Sequence, residues 1–244
     1  MSASLRGAVV LVTGASAGIG RACAIALARE GCDLVITARR PERLAALARE
    51  IEAAGGRVAI VMGDARNEDT AIQAVAAATA QFGRLDVLIN NVDVGIYKNI
   101  VDTTAAEYDH LVDTNVRSTF LFTRHAAPLM IAQQSGTILM ISSMAGKYGF
   151  PGEAVYCATK FAQIGLVQAL DKELRPHGIK VGAICPGGVK TEFALGAGRT
   201  EAGVAASTML EPEDVASAVV LACKQPPGAR IIEIQMRTMS EGLT

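Results

Sequence analysis

The chain has 244 residues, half of them apolar and 19% charged, a balance that supports a substantial buried core and excludes a disordered chain. With 23 Lys+Arg against 24 Asp+Glu the net charge is −1, and aromatics are 4% with no Trp. A nucleic-acid binder would need a basic excess or stacking residues, and a membrane protein a long apolar run; this composition supplies none of them.

Five cysteines without C-x-x-C spacing argue against both a disulfide scaffold and a zinc site, and point to a reducing cytoplasm. The first apolar run, Ala8 to Val12, is too short for a signal-peptide core. Along the chain, β-branched apolar runs alternate with Ala-rich stretches of helical length. Strands are expected over Ala8–Val12, Asp33–Thr37, Val58–Met62, Leu85–Ile89, Thr137–Ile141, Ile179–Ile184 and Arg230–Ile234. Their unbroken apolar character suits a parallel sheet buried on both faces. Helices are expected over Gly18–Glu30, Pro41–Ala54, Glu68–Gln81, Ala105–Gln133, Ala154–Arg175 and Glu211–Lys224. Pro41 suits a first helical turn, and Gly31, Gly55 and Gly83 mark helix ends. The alternation predicts one α/β domain, a doubly wound seven-stranded Rossmann sheet flanked by helices. One segment breaks it. Residues 190–210 are small, polar and Gly-rich, and would lie over the ligand crevice beyond the strand C-termini as a small substrate lid.

Gly14, Gly18 and Gly20 follow the first strand and open the first helix. A helix N-terminus with free N–H groups and a positive dipole end suits a pyrophosphate. Gly14 would make the tight turn, Gly18 would admit backbone close to phosphate, and Gly20 would let the helix pack on the sheet. The second strand ends at Ala38-Arg39-Arg40, where an NAD site would place a carboxylate for the ribose 2′-hydroxyl. Guanidinium groups there suit a 2′-phosphate instead, which predicts NADP(H).

Tyr156 and Lys160 are four apart on one helix and share a face. A neighbouring ammonium favours the phenolate, so Lys160 is expected to lower the Tyr156 pKa and let the phenol protonate a carbonyl oxygen. Ser143, just past the fifth strand, could hold the same oxygen, whereas Ser142 reads as the residue closing that strand.

With these residues the chain closely resembles the short-chain dehydrogenase/reductases over nearly its whole length. The glycine loop, Asn90-Asn91, Ser143, Tyr156–Lys160 and Pro186-Gly187 carry the resemblance. Asn115 matches the family's catalytic asparagine, which holds a water in a proton relay. The resemblance implies that Lys160 bonds the nicotinamide ribose, Asp64 meets the adenine and Thr191 approaches the carboxamide. It extends the cofactor set to Ser16, Ile19, Ala65, Asn91, Pro186, Gly187 and Val189. It also implies a homodimer or homotetramer through the helices that carry Asn115 and Tyr156.

The chain departs from the family in two places. Val92-Asp93 replaces the usual Ala-Gly after the fourth strand. Asp93 reads as a solvated turn residue or, if it faces the crevice, as a carboxylate that weakens cofactor binding or reads a substrate group. The C-terminal run Ile231 to Arg237 lacks the Asp-Gly-Gly ending common in 3-oxoacyl-[acyl-carrier-protein] reductases. The expected activity is therefore NADP(H)-dependent interconversion of a small ketone or aldehyde with its alcohol. A 3-oxoacyl reductase and a catalytically idle NADP(H)-sensing protein are the alternatives. The three histidines, His110, His125 and His177, read as surface or structural groups, and no metal site is expected.

Overall fold

The computed structural model describes residues 4–242. Seven parallel strands are ordered β3-β2-β1-β4-β5-β6-β7: β1 Val9–Thr13, β2 Asp33–Ala38, β3 Val58–Met62, β4 Val87–Asn90, β5 Gly136–Ile141, β6 Ile179–Pro186 and β7 Glu233–Met236. All residues of β1, β2, β4 and β5 are buried, as a sheet covered on both faces requires. Helices α1 (Gly18–Arg29), α2 (Pro41–Ala53) and α8 (Pro212–Cys223) cover one face; α3 (Glu68–Phe82), α5 (Ser118–Gln133) and α6 (Ala154–Leu174) cover the other. Strand order reverses between β1 and β4, so the ligand crevice opens beyond their C-terminal ends.

The expected helix over Ala105–Gln133 is interrupted. It divides into α4 (Ala105–Val112), a π-helical turn over Asp113–Arg117, and α5. The carbonyls that the wider turn releases are taken by side chains. Ser118 Oγ donates to Thr114 O, while Thr119 Oγ1 and Gln163 Nε2, each at 2.9 Å, donate to Asn115 O. Nothing in the composition of that pentapeptide separates it from an ordinary helix.

The last strand starts later than expected. Ile231 and Ile232 lie over Gly182, where an added Cβ would fall 2.3 Å from Ile231 O, and pairing begins only at Ala183↔Glu233. Residues 190–210 are irregular except for a short helix, α7 (Glu201–Ala206), and a bridge from Val189 to Leu210 returns the segment to the sheet edge. The five cysteines are free and buried. No helix is long and apolar enough to cross a membrane among the described residues.

Candidate active site

Beyond the C-terminal edge lies one cavity of about 1040 Å³, large enough for a dinucleotide with a small second ligand. One end, where the sequence predicts a phosphate site, is the β1–α1 turn. Gly14 has φ +65°, which glycine adopts without cost. A Cβ on Gly20 would sit 2.4 Å from Asn91 Nδ2 and 2.5 Å from Gly14 O. That amide donates to Thr13 O at 3.0 Å, tying the turn to β4, so Gly20 is required both by Asn91 and by the close approach of α1 to the end of β1. A Cβ on Gly18 (φ +52°) would lie 2.9 Å from Thr191 Cγ2, so the glycine also brings the lid against the loop. Ala17, the N-cap of α1, offers no side-chain cap, and the first turn holds no acidic residue. Its N–H groups are left to bond an anion.

Ser16, Ile19, Arg39, Arg40, Asp64, Ala65, Pro186, Gly187, Val189 and Thr191 all line this cavity with Asn91. Their states differ. Arg40 donates to Ser16 Oγ through Nη2 at 3.0 Å and to Glu192 through Nη1 at 2.9 Å. Asp64 is bonded by Arg66 at 2.7 Å, and that bond holds its carboxyl below the usual carboxylate range. Arg39 is exposed, with no hydrogen-bond or ion-pair partner among the described residues. Thr191 Oγ1 accepts from Phe193 N at 3.2 Å.

At the chemical end, Ser143 sits in extended backbone past β5 and caps the short turn over Met144–Gly146, accepting from Ala145 N at 3.1 Å. Tyr156 and Lys160 rise from α6, but they meet the cavity differently. Tyr156 lines it; Lys160, with 0% side-chain exposure, lies behind it and is not part of its wall. Lys160 Nζ donates to Ile141 O at 3.1 Å and Gln163 Oε1 at 3.2 Å, and forms an ion pair with Asp93 Oδ2 at 2.9 Å. Tyr156 Oη donates to the same Asp93 oxygen at 3.1 Å.

The expectation that Lys160 lowers the phenol is therefore reversed in this arrangement. Burial and the negative charge of Asp93 push Tyr156 well above the usual tyrosine value, with the Ser143 hydroxyl acting in the opposite direction. Asp93 is no solvated turn residue. Burial raises its carboxyl, and the Lys160 ammonium opposes that rise.

Asn115 is fully buried and apart from the cavity wall. Its Oδ1 accepts from Val94 N and its Nδ2 donates to Val94 O, both at 2.9 Å, so it clamps the residue that follows Asp93. Sequence reasoning missed the rest of the pocket wall. Tyr97, Tyr156 and Phe193 form a cluster with ring centroids 5.6–6.4 Å apart, and Arg199 lies over Tyr97 and Phe193 at 5.8 and 5.3 Å. His110 also lines the cavity. The only signal was the pair of aromatics flanking otherwise small, polar loops.

The doubly wound fold, with Ser143, Tyr156 and Lys160 brought together beyond its sheet, is that of an oxidoreductase class, and comparison with known proteins agrees. Residues 8–202 match the model of the short chain dehydrogenase family, and the chain belongs to it. An uncharacterised oxidoreductase of Staphylococcus aureus is 34% identical over 94% of this chain and 96% of its own. A glycine betaine reductase of Emericella nidulans is also 34% identical, across 97% of this chain but 19% of that longer protein. Among solved structures, a metagenomic short-chain oxidoreductase in complex with NADP superposes with TM-score 0.84 at 35% identity, covering 98% of this chain and 100% of that one. An alcohol dehydrogenase of Thermococcus sibiricus complexed with 5-hydroxy-NADP superposes with TM-score 0.88 at 26% identity, covering 97% and 99%.

Proposed function

We propose that this chain is an NADP(H)-dependent oxidoreductase that interconverts a small ketone or aldehyde with the corresponding alcohol. The observation that carries the reading is one continuous cavity, running from the uncapped start of α1 and the unpaired Arg39 to the Tyr156 hydroxyl and Ser143. The neighbours solved with NADP or a derivative of it support the cofactor, and the alcohol dehydrogenase among them supports the reaction class.

The residues present fit a dinucleotide phosphate. Gly14 and Gly18 leave the cradle in which a side chain would meet Val92 or Thr191. Arg39, with Ala38 in place of a carboxylate, would hold the 2′-phosphate. Thr191 stands against the glycine loop, Gly187 lines the same cavity, and Asp64 with Ala65 would border the adenine. When bound, the nicotinamide supplies or accepts hydride. Tyr156 Oη then gives its proton to the carbonyl oxygen in reduction and takes it back in oxidation, while Ser143 Oγ holds the same oxygen. The cluster of Tyr97, Phe193 and Tyr156 keeps water from the reacting carbon and favours a substrate with an apolar flank. Asn115 serves by fixing the backbone behind the site. Residues 190–210 would act as the lid.

Assembly into a homodimer or homotetramer would use the outer face of α5 and α6, where Phe120 and Phe161 stand about half exposed. The five reduced, buried cysteines suit a cytoplasmic setting.

The pairing of Asp93 with Lys160 favours a second reading, an NADP(H)-binding protein without turnover. A screen of NADPH oxidation over varied carbonyl compounds, with Tyr156→Phe as control, separates the two. Turnover that the substitution abolishes supports the oxidoreductase; NADPH binding with no turnover on any carbonyl contradicts it.

A further inference from the structure

Asp93 is the group that this chain adds to the site, and its surroundings say what it does. A single oxygen, Oδ2, lies 3.1 Å from the Tyr156 hydroxyl that donates to it and 2.9 Å from Lys160 Nζ. The ammonium has three protons, and Ile141 O, Gln163 Oε1 and Asp93 account for all three. Lys160 thus has no proton left for the cavity, and the charged group hydrogen-bonded to Tyr156 there is the carboxylate. The other oxygen, Oδ1, is buried without a hydrogen-bond partner among the described residues, so the proton shared with Tyr156 lies on Oδ2.

The carboxylate is also held in place from behind. Asn115 clamps Val94 by two bonds of 2.9 Å, and the Gln163 amide that faces Lys160 donates to Asn115 O. The groups facing Asp93 are Lys160 and Tyr156 from α6 and Tyr97 from the loop after β4. Glu153 and Arg199 flank Tyr97, and His110 of α4 lines the same cavity.

We propose that Asp93 is the proton-holding partner of Tyr156: its carboxylate takes the tyrosine proton during alcohol oxidation and returns it during carbonyl reduction. This rests on the oxidoreductase reading above. In oxidation the substrate O–H bond breaks and its proton joins Tyr156 Oη. The original Tyr156 O–H bond breaks as an O–H bond forms on Asp93 Oδ2. The substrate C–H bond gives its electron pair, as hydride, to the oxidised nicotinamide that the reaction requires. The products are a carbonyl, the reduced nicotinamide and a neutral Asp93 carboxyl, which then loses its proton to water; reduction runs these steps backwards. Phenolate never accumulates, because a second anion beside the Asp93 carboxylate is the costlier place for the charge. Asp93 acts through Tyr156, as the acceptor and donor of its proton.

The test is titration of the tyrosines by ultraviolet difference absorbance in the ligand-free protein, comparing wild type, Asp93→Asn and Asp93→Gly, each with and without Tyr156→Phe. The subtraction isolates Tyr156 from Tyr97, Tyr108 and Tyr148. Removing the neighbouring charge should lower the Tyr156 midpoint by about one to three pH units in both variants. An unchanged midpoint in both overturns the proposal. The second readout is the pH profile of kcat for alcohol oxidation. Its low-pH limb reports Asp93 in wild type and should move up by at least about one unit in Asp93→Asn, where the phenolate must serve. A profile merely scaled down, with its limb in place, overturns the relay. If wild type turns over no alcohol or carbonyl, the functional reading fails and the relay with it, whereas the phenol titration still shows whether the Asp93 charge governs Tyr156.

Discussion

Each end of the cavity carries an ion-paired carboxylate. At the phosphate end Glu192 pairs with Arg40 and Arg43 at 2.9 and 2.6 Å, with all three side chains 44–52% exposed. At the chemical end Asp93 pairs with Lys160 at 2.9 Å, with exposures of 17% and 0%. Water screens the first pair, and exposed pairs contribute about 0–1 kcal/mol, so exchanging Glu192 for the phosphate of the proposed cofactor would cost the arginines little. Water reaches only the Asp93 side of the second. Removing one partner of a buried pair leaves an uncompensated charge, typically at a cost of about 3–5 kcal/mol. Under the proposed function, the same kind of bond would serve recognition at one end and fixed chemistry at the other.

The largest expected effect lies at the buried end. Tyr156→Phe removes only the proton-transfer hydroxyl and should lower kcat by about 10²–10⁴ with NADPH affinity and melting temperature near wild type. A variant that keeps more than half of wild-type kcat removes Tyr156 from the chemistry. At the exposed end, Ala38→Asp/Arg39→Ala should reverse cofactor choice. A charged hydrogen bond is worth about 1.5–3 kcal/mol, or roughly ten- to hundredfold in kcat/KM. A double variant that still favours NADPH would leave Arg39 facing solvent.

A smaller effect is expected from Glu192→Gln. Releasing Arg40 and Arg43 should tighten NADPH by up to about fivefold at low salt, and the gain should fade as salt rises. Loss of NADPH affinity instead would make Glu192 a support of the lid rather than a competitor for the arginines. The smallest effect is a matter of pH. Hydrogen bonds from Arg40 and then Arg43 hold the Glu192 carboxyl below its ordinary 4.5. A lowered carboxylate pKa contributes stability that is present above the unfolded value and lost as pH falls through the folded one. The melting-temperature difference between wild type and Glu192→Gln should therefore persist at neutral pH and vanish in acid below that range. A difference that grows in acid would mean the pairing is not what the substitution removes.

How much of this was legible follows the same division. The glycine loop could be read because its requirement is local: a positive φ at Gly14 and an uncapped helix start can be placed from spacing alone. The sheet was legible from its apolar runs, except that β4 begins at Val87 rather than Leu85 and Gly182 delays the last strand. Tyr156 and Lys160 share a helix face as their spacing says, yet periodicity cannot tell which of the two the next layer covers. Asp93 was marked as a departure, but its role depends on Lys160, distant in the chain, and on the clamp that Asn115 places on Val94. That clamp needs the π-helical turn, whose residues look like any other helix.

The comparison between the two ends is tested most directly by measuring dissociation constants of NADPH and NADH for wild type at low and high salt, together with kcat at saturating cofactor. The account predicts NADPH tighter by roughly ten- to hundredfold at low salt. That gap should narrow as salt rises while kcat stays constant, because only the exposed arginines are screened. Equal affinities for the two cofactors, or a gap indifferent to salt beside a kcat that falls with it, would contradict the assignment of recognition to one end and chemistry to the other.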